Sequence, residues 1–213
     1  MVTVFETYMK EIDWLAGRGY NILGVNFPAV YQGQNDCATG PFMTVLWENM
    51  TDPILTGREQ LGVAKIYCEL PEPVIYKGET HCTASWMGFR FLDIKLTHMK
   101  EVAPADYPIS TSLPNDGTLS GTIHYKYMPR TEDWGQADVA YAVLSPAPEK
   151  PTPPQSLMQG EGTVEFHRAR WEDLPTQYMV VNALSALEIK EYREASIEHS
   201  VGGISLSNQR ILH

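Results

Sequence analysis

The sequence predicts a mainly β domain, a barrel or a sandwich of about eight to ten short strands. Three observations lead there. Apolar residues recur at every second position in several segments, helical spacing is confined to short stretches, and clusters of turn-forming residues separate the two kinds of pattern. No internal repeat is present, and neither proline-rich stretch is long enough for an interdomain linker, so residues 1–213 are expected to form one domain.

Taken in order, a short helix is expected around Met9–Leu15, and Met43–Trp47, rich in Val, Leu and Trp, reads as a strand. Asp52-Pro53 has the form of an N-cap followed by Pro at the first helical position, which predicts a helix through Ile54-Leu55 to about Gly62. Ala64–Leu70 is strand-like, and Leu92–Thr97 alternates apolar and polar residues strictly. Ala103–Gly117, with Pro104, Pro108, Pro114 and Asn115-Asp116-Gly117, predicts a loop. Val139, Tyr141 and Val143 share one parity, as do Val164 and Phe166. Between these strands Pro146–Pro154 holds five prolines in nine residues and cannot pair as a central strand. Tyr178, Val181, Leu184 and Leu187 recur at intervals of three, which predicts a helix over Thr176–Leu187.

Composition excludes several functions. With 26 acidic and 16 basic residues the net charge is −10, unsuited to displacing phosphate counterions, so neither nucleic acid nor an anionic membrane surface is an expected partner. No apolar run reaches the ~18 residues that suggest a spanning helix. Glu6, Lys10, Glu11 and Asp13 interrupt any signal-peptide core near the start. Cys37, Cys68 and Cys82 are odd in number and widely spaced, an expectation of free thiols in the cytoplasm.

The six histidines show no metal-ligand spacing, and no nucleophile-elbow, dinucleotide or phosphate-loop motif occurs. Cys82 follows His81, but neighbours on a strand point to opposite faces, which argues against a thiol–imidazole pair. The unusual stretch is Glu48–Tyr67, where a polar-capped helix ends at glycine and Lys65 follows between Val63-Ala64 and Ile66-Tyr67. Two orientations are open. Facing outward, Lys65 is an ordinary strand residue; facing inward, it is a desolvated amine suited to attack a ketone and form a Schiff base. Trp47 and Met43 would then line its pocket or simply fill the core.

Gly57-Arg58-Glu59 followed six residues later by Lys65 resembles the active-site stretch of the acetoacetate decarboxylase family, in which G-R-E precedes the Schiff-base lysine at this distance. Phe5-Glu6, Gly19-Tyr20, Phe27-Pro28, Tyr125–Pro129 and Tyr178–Leu206 extend the resemblance over nearly the whole chain. It implies a cone-shaped, largely antiparallel β-barrel with a few short helices, without metal or organic cofactor, that assembles as a homo-oligomer. The implied activity is decarboxylation of a small β-keto acid, with Lys65 as nucleophile and Glu6 as a carboxylate near the amine, unless Glu6 merely faces solvent. Arg58 is a candidate ligand for the substrate carboxylate, or pairs locally to hold the helix end. Arg90, between Phe89 and Phe91, is a second such candidate, or an outward strand residue.

Three departures from the family pattern stand out. Ile66 occupies the place of a second lysine, Ile22 that of a further active-site glutamate, and Val63-Ala64 that of an aromatic-proline pair, so Ile22 and Val63 are expected in the pocket wall. The match also begins almost at Met1, where family members carry several dozen further residues including an arginine implicated at the active site. These changes suit either a decarboxylase or a Schiff-base aldolase or dehydratase of the same superfamily; a non-catalytic barrel that binds a small molecule is the third reading.

Overall fold

A computed structural model describes residues 1–107, 117–148, 152–202 and 208–213. β1 (Thr3–Ile12), β2 (Arg18–Gln32), β3 (Cys37–Glu48) and β4 (Lys65–Tyr67) open the chain, with helix α1 (Thr51–Thr56) between the last two. β5 (Val74–Tyr76), β6 (Glu79–Trp86) and β7 (Phe89–Glu101) come next, then β8 (Leu119–Pro129), β9 (Ala137–Pro146) and β10 (Ser156–Phe166). Helix α2 (Tyr178–Ser185), β11 (Ala195–His199) and β12 (Arg210–Ile211) complete the order. The mainly β class is as expected. The chain divides into two compact units, one of Met1–Tyr67, Ser110–Pro151 and Gly203–His213, the other of Cys68–Ile109 and Thr152–Gly202.

The first unit is built on a sheet with the path β1-β2-β3-β8-β9-β12 and with β4 added to β3. Among the described residues this path does not return from β12 to β1. Its ladders are antiparallel except where β3 meets β4 and β8, both parallel. β3 is therefore the organising strand: β2 runs along its length, β8 pairs with its first half and β4 with its last three residues. A strand covered on both edges and both faces has an interior end whatever its side chains, and Leu46, Trp47 and Glu48 are 6%, 0% and 0% exposed. At the other end Ala38 joins Ile123, Ala142, Leu144 and Leu212 in a core cluster on which Tyr31, Phe42 and Leu119 pack. The β3–β8 approach is close enough that a Cβ on Gly40 would stand 2.0 Å from the Gly121 carbonyl oxygen.

The second unit carries a five-stranded sheet of order β11-β10-β7-β6-β5, antiparallel throughout. The alternation read in Leu92–Thr97 has its reason in cross-strand rows: Leu92 stands between Ala84 and Phe166, and Ile94 between Cys82 and Val164. Cys82 is buried while His81 is exposed, so the two do not form a pair. The Asn182 side chain of α2 clamps Ala169, accepting from its N–H at 2.8 Å and donating to its carbonyl at 2.9 Å.

Several local expectations shift. Met9 belongs to β1, where it pairs with Tyr20, and only Asp13–Leu15 makes a tight helical turn. Hairpin pairing thus overrides the local apolar spacing. α1 begins two residues earlier than the Asp52-Pro53 pattern suggests, with Met50 at the N-cap position and no side-chain cap, and α2 is two residues shorter at each end than Thr176–Leu187. The Ala64–Leu70 strand contracts to Lys65–Tyr67 because the partner strand ends at Glu48, opposite Tyr67. Parts of both predicted loops, residues 108–116 and 149–151, lie outside the described residues, as does Leu206.

His124 on β8 is 1% exposed, with Nε2 3.0 Å from the Ser145 hydroxyl oxygen, which also accepts from Gln209 at 2.7 Å. Burial holds its pKa below the usual value, and a backbone hydrogen bond to Gly62 works the other way. The unfolded chain takes up this proton near pH ~6.5 and the folded chain only at lower pH. Between those values the unfolded state binds more protons, so His124 makes stability fall with acidification. Urea titrations from pH 7 to pH 5 should therefore show a steeper loss of stability for the native chain than for His124→Gln, and equal slopes would contradict this.

Candidate active site

Helix α1 passes directly into a wider, π-helical turn over Gly57–Leu61 and stops at Gly62, whose φ of +79° is left-handed. A Cβ there would also lie 2.3 Å from the Lys126 Cβ, so glycine serves both the turn and its seat against β8. The Val63 N–H then returns to the Gly57 carbonyl at 3.0 Å, and the Leu46 N–H reaches the Ala64 carbonyl at 3.0 Å. These bonds swing the chain back alongside β3, with Lys65 in register with Leu46.

Lys65 points inward. Its side chain is 10% exposed and passes over Gly57, where a Cβ would stand 2.3 Å from Cε and 2.6 Å from Nζ. Gly57 has ordinary helical dihedrals, so glycine is needed here for space and not for backbone conformation. The ammonium nitrogen lies 2.7 Å from Oε1 of Glu48 and donates to the Pro53 carbonyl at 3.0 Å. Glu48 is fully buried, and its Oε2 has no hydrogen-bond partner among the described residues. Burial pushes its pKa up and Lys65 draws it back. Tyr20 is pushed up to about 12, first by burial and then by the charge of Glu48, so its phenol stays protonated. Removing one partner of a buried ion pair leaves an uncompensated charge, at a cost of about 3–5 kcal/mol.

Register decides what faces this pair. Residues opposite one another on adjacent strands share a face, and successive residues alternate. Phe5, Gly24, Leu46 and Lys65 form one row, and Thr7, Ile22, Glu48 and Tyr67 another on the same side. The Phe5 ring lies across Gly24, where a Cβ would be 2.3 Å from it, and so builds an apolar wall in the row of Lys65. Ile22 stands directly across from Glu48. Glu6, Leu23, Trp47 and Ile66 form the intervening row and project from the opposite side.

Of the residues singled out in the sequence, Lys65 and Ile22 share the Glu48 side of the sheet, and half-buried Val63 follows the turn. Glu6 does not join them: strand alternation turns it away from Lys65, and its carboxylate accepts from the Tyr8 hydroxyl. Arg58 is exposed, and its guanidinium donates to the Lys65 main-chain carbonyl at 2.9 Å, which ties the turn to β4. Arg90 lies in the second unit, where its guanidinium pairs with Asp93. Sequence reasoning missed Glu48. Its signal was an acid closing the apolar run Val45-Leu46-Trp47, as conspicuous there as Lys65 is in its own strand. Among the described residues no group of three or more His, Cys, Asp and Glu is placed to hold a metal ion, and no helix is long and apolar enough to cross a membrane.

An inward lysine on a β-sheet, paired with a buried carboxylate beneath a short glycine-containing helix, defines a class of sites able to present a primary amine to a small carbonyl compound. The chain belongs to the acetoacetate decarboxylase family, whose model matches residues 1–200. The fold agrees. An acetoacetate decarboxylase structure aligns with a TM-score of 0.68 at 12% identity, covering 100% of this chain and 75% of the other. The acetoacetate decarboxylase of Legionella pneumophila aligns at 0.64 and 14% identity, covering 92% and 68%. The enduracididine biosynthesis enzyme MppR, complexed with pyruvate, aligns at 0.52 and 14% identity, covering 85% and 63%. No curated protein sequence matches the chain.

Gly57→Ala tests the packing directly. The new methyl must displace the lysine stem, so the rate at which an amine-selective acylating reagent modifies Lys65, read by peptide mass spectrometry, should change by about tenfold with the fold retained. An unchanged rate would show that the stem does not depend on this glycine.

Proposed function

We propose that the chain is a Schiff-base lyase acting on a small β-keto acid, with Lys65 as the nucleophile. The observation that carries the reading is the placement of the Lys65 amine: inside the sheet, on a strand set by the family motif, against a carboxylate and a carbonyl. The unprotonated amine attacks the ketone carbon, and loss of water leaves an iminium. The electron pair of the carboxyl-bearing C–C bond then moves into the iminium as CO₂ leaves, giving an enamine. Protonation at carbon and hydrolysis release the ketone and restore the lysine. The electron sink is thus made from the substrate and Lys65.

A second reading keeps the iminium and changes the step after it, as an aldolase or dehydratase would. Two substitutions favour it. Ile22 faces Glu48 where the resemblance calls for a glutamate, and Ile66 replaces a lysine on the side of the sheet away from Lys65. Only Ile22 lies on the side of the nucleophile, so one proton-handling group of a decarboxylase is altered there. That a neighbour of this fold, MppR, was obtained as a pyruvate complex supports a keto acid as the substrate class under either reading.

Borohydride reduction in the presence of acetoacetate or pyruvate should add the mass of the reduced adduct to native protein, on the peptide containing Lys65. Lys65→Arg, which keeps the cation beside Glu48, should give none. Absence of an adduct on Lys65 across a panel of keto acids would refute the Schiff-base reading. Where it forms, release of CO₂ against loss of water or formation of a C–C bond separates the two reactions.

A further inference from the structure

We propose that Glu48 is a catalytic residue, the acid–base partner that takes the proton of the Lys65 ammonium and returns it to the departing oxygen of the substrate. The inference rests on the Schiff-base reading of Lys65. Neither the family motif nor any resemblance singles out this position, and the residue emerges from geometry.

The amine has two partners, Glu48 Oε1 at 2.7 Å and the Pro53 carbonyl at 3.0 Å, and only the carboxylate can accept a proton. The first distance is within the range for direct transfer. Glu48 is 0% exposed, and its second oxygen has no hydrogen-bond partner among the described residues. Buried carboxylates kept for structure alone normally have their acceptor sites filled. Here one oxygen is left for a group that the resting pair does not contain. Among the described residues, no other side chain competes for the proton. Tyr20 on β2 stays a neutral phenol, Arg58 is engaged with the Lys65 carbonyl, and Ile22, directly opposite Glu48, offers no competing proton site.

Protons and charge balance along the path. Lys-NH₃⁺ and Glu-COO⁻ become Lys-NH₂ and Glu-COOH, and the amine adds to the ketone to give a neutral carbinolamine after its own N–H proton moves to oxygen. Glu48 then protonates that hydroxyl, the C–O bond breaks, water leaves, and the iminium forms beside a regenerated carboxylate. The pair begins as one cation and one anion and ends the same way. The Lys65–Glu48 pair therefore carries no net charge at either end of the path, the condition a low dielectric favours, and the substrate carboxylate is the one charge added to the site.

The test is the rate of borohydride-trapped adduct on Lys65 with acetoacetate, measured from pH 6 to pH 10 for native protein and for Glu48→Gln. The expected result is a loss of about 100-fold at pH 7. The deficit should shrink as pH rises and bulk hydroxide takes over the deprotonation, and added formate or acetate should restore part of the rate. A carboxylate that only shapes the site would give a deficit independent of pH and insensitive to added carboxylate, and that result overturns the proposal, as does a native rate in the variant. If native protein itself forms no adduct, the Schiff-base reading falls and takes this one with it, an outcome distinct from either of those. Circular dichroism and thermal midpoints report whether Glu48→Gln folds. Should it not, Glu48→Asp keeps the charge but withdraws the carboxylate by one methylene, and a trapping rate between one-half and twice that of native protein would overturn the proposal, whereas a five- to twentyfold loss that narrows with pH would support it.

Discussion

The contact on which the site depends is a single ion pair formed where water is excluded. A carboxylate and an ammonium 2.7 Å apart, with one at 0% and the other at 10% side-chain exposure, persist only because each neutralises the other. Everything around them keeps the pair intact. Gly57 leaves room for the lysine stem, the Pro53 carbonyl accepts a hydrogen bond from the ammonium, and Arg58 fixes the backbone from which the lysine departs. The widened helical turn belongs to the same arrangement. It lets the chain leave α1 and enter β4 within a few residues, so that the helix that carries Pro53 and Gly57 lies over the strand that carries Lys65.

The burial of that pair follows from topology. β3 receives β2 on one edge and is divided on the other between β8 and β4, so its last residues have no free edge and no wet face. Any residue at position 48 would be interior. Apolar residues at 45, 46 and 47 meet that demand by their nature, and Glu48 meets it only through Lys65. The energetic logic runs in both directions, since Lys65 on a three-residue strand would otherwise be a buried cation. Sheet pairing and ion pairing are thus coupled: β4 aligns Lys65 with Leu46, and that register places the amine within reach of a carboxylate two residues further along β3.

Much of this was legible in the residues. Strict alternation at Leu92–Thr97 and the shared parity of Val139, Tyr141 and Val143 identified strands, and the G-R-E-to-lysine spacing singled out Lys65. Other features were not. Met9 resembled part of a helix because its hairpin partner Tyr20 is invisible to a local window. Glu6 was expected beside Lys65 by resemblance, but face assignment depends on strand register, and a shift of one residue reverses it. Arg58, whose two roles sequence left open, is engaged by the Lys65 main chain, a contact that depends on how the helix ends. Glu48 escaped because nothing in a one-dimensional pattern couples an acid at the end of one strand to a base on another.

The register also alters how the family departures weigh. Ile66 is adjacent to Lys65 in sequence yet emerges on the side of Glu6 and Trp47, so a cation there would act through the sheet and not from the face that bears Lys65. Ile22 is different, since it shares the face and the row of Glu48. Directly opposed residues bring their Cβ atoms to within roughly 5 Å, which allows side chains from either position to address the same volume. A carboxylate on β3 opposite an isoleucine on β2 and one on β2 opposite an apolar residue on β3 would thus be near-equivalent ways of placing an acid on this face. They differ in what the acid can reach. From β3, next to the strand that bears Lys65, it meets the amine directly, so proton transfer at nitrogen is the step that this arrangement serves.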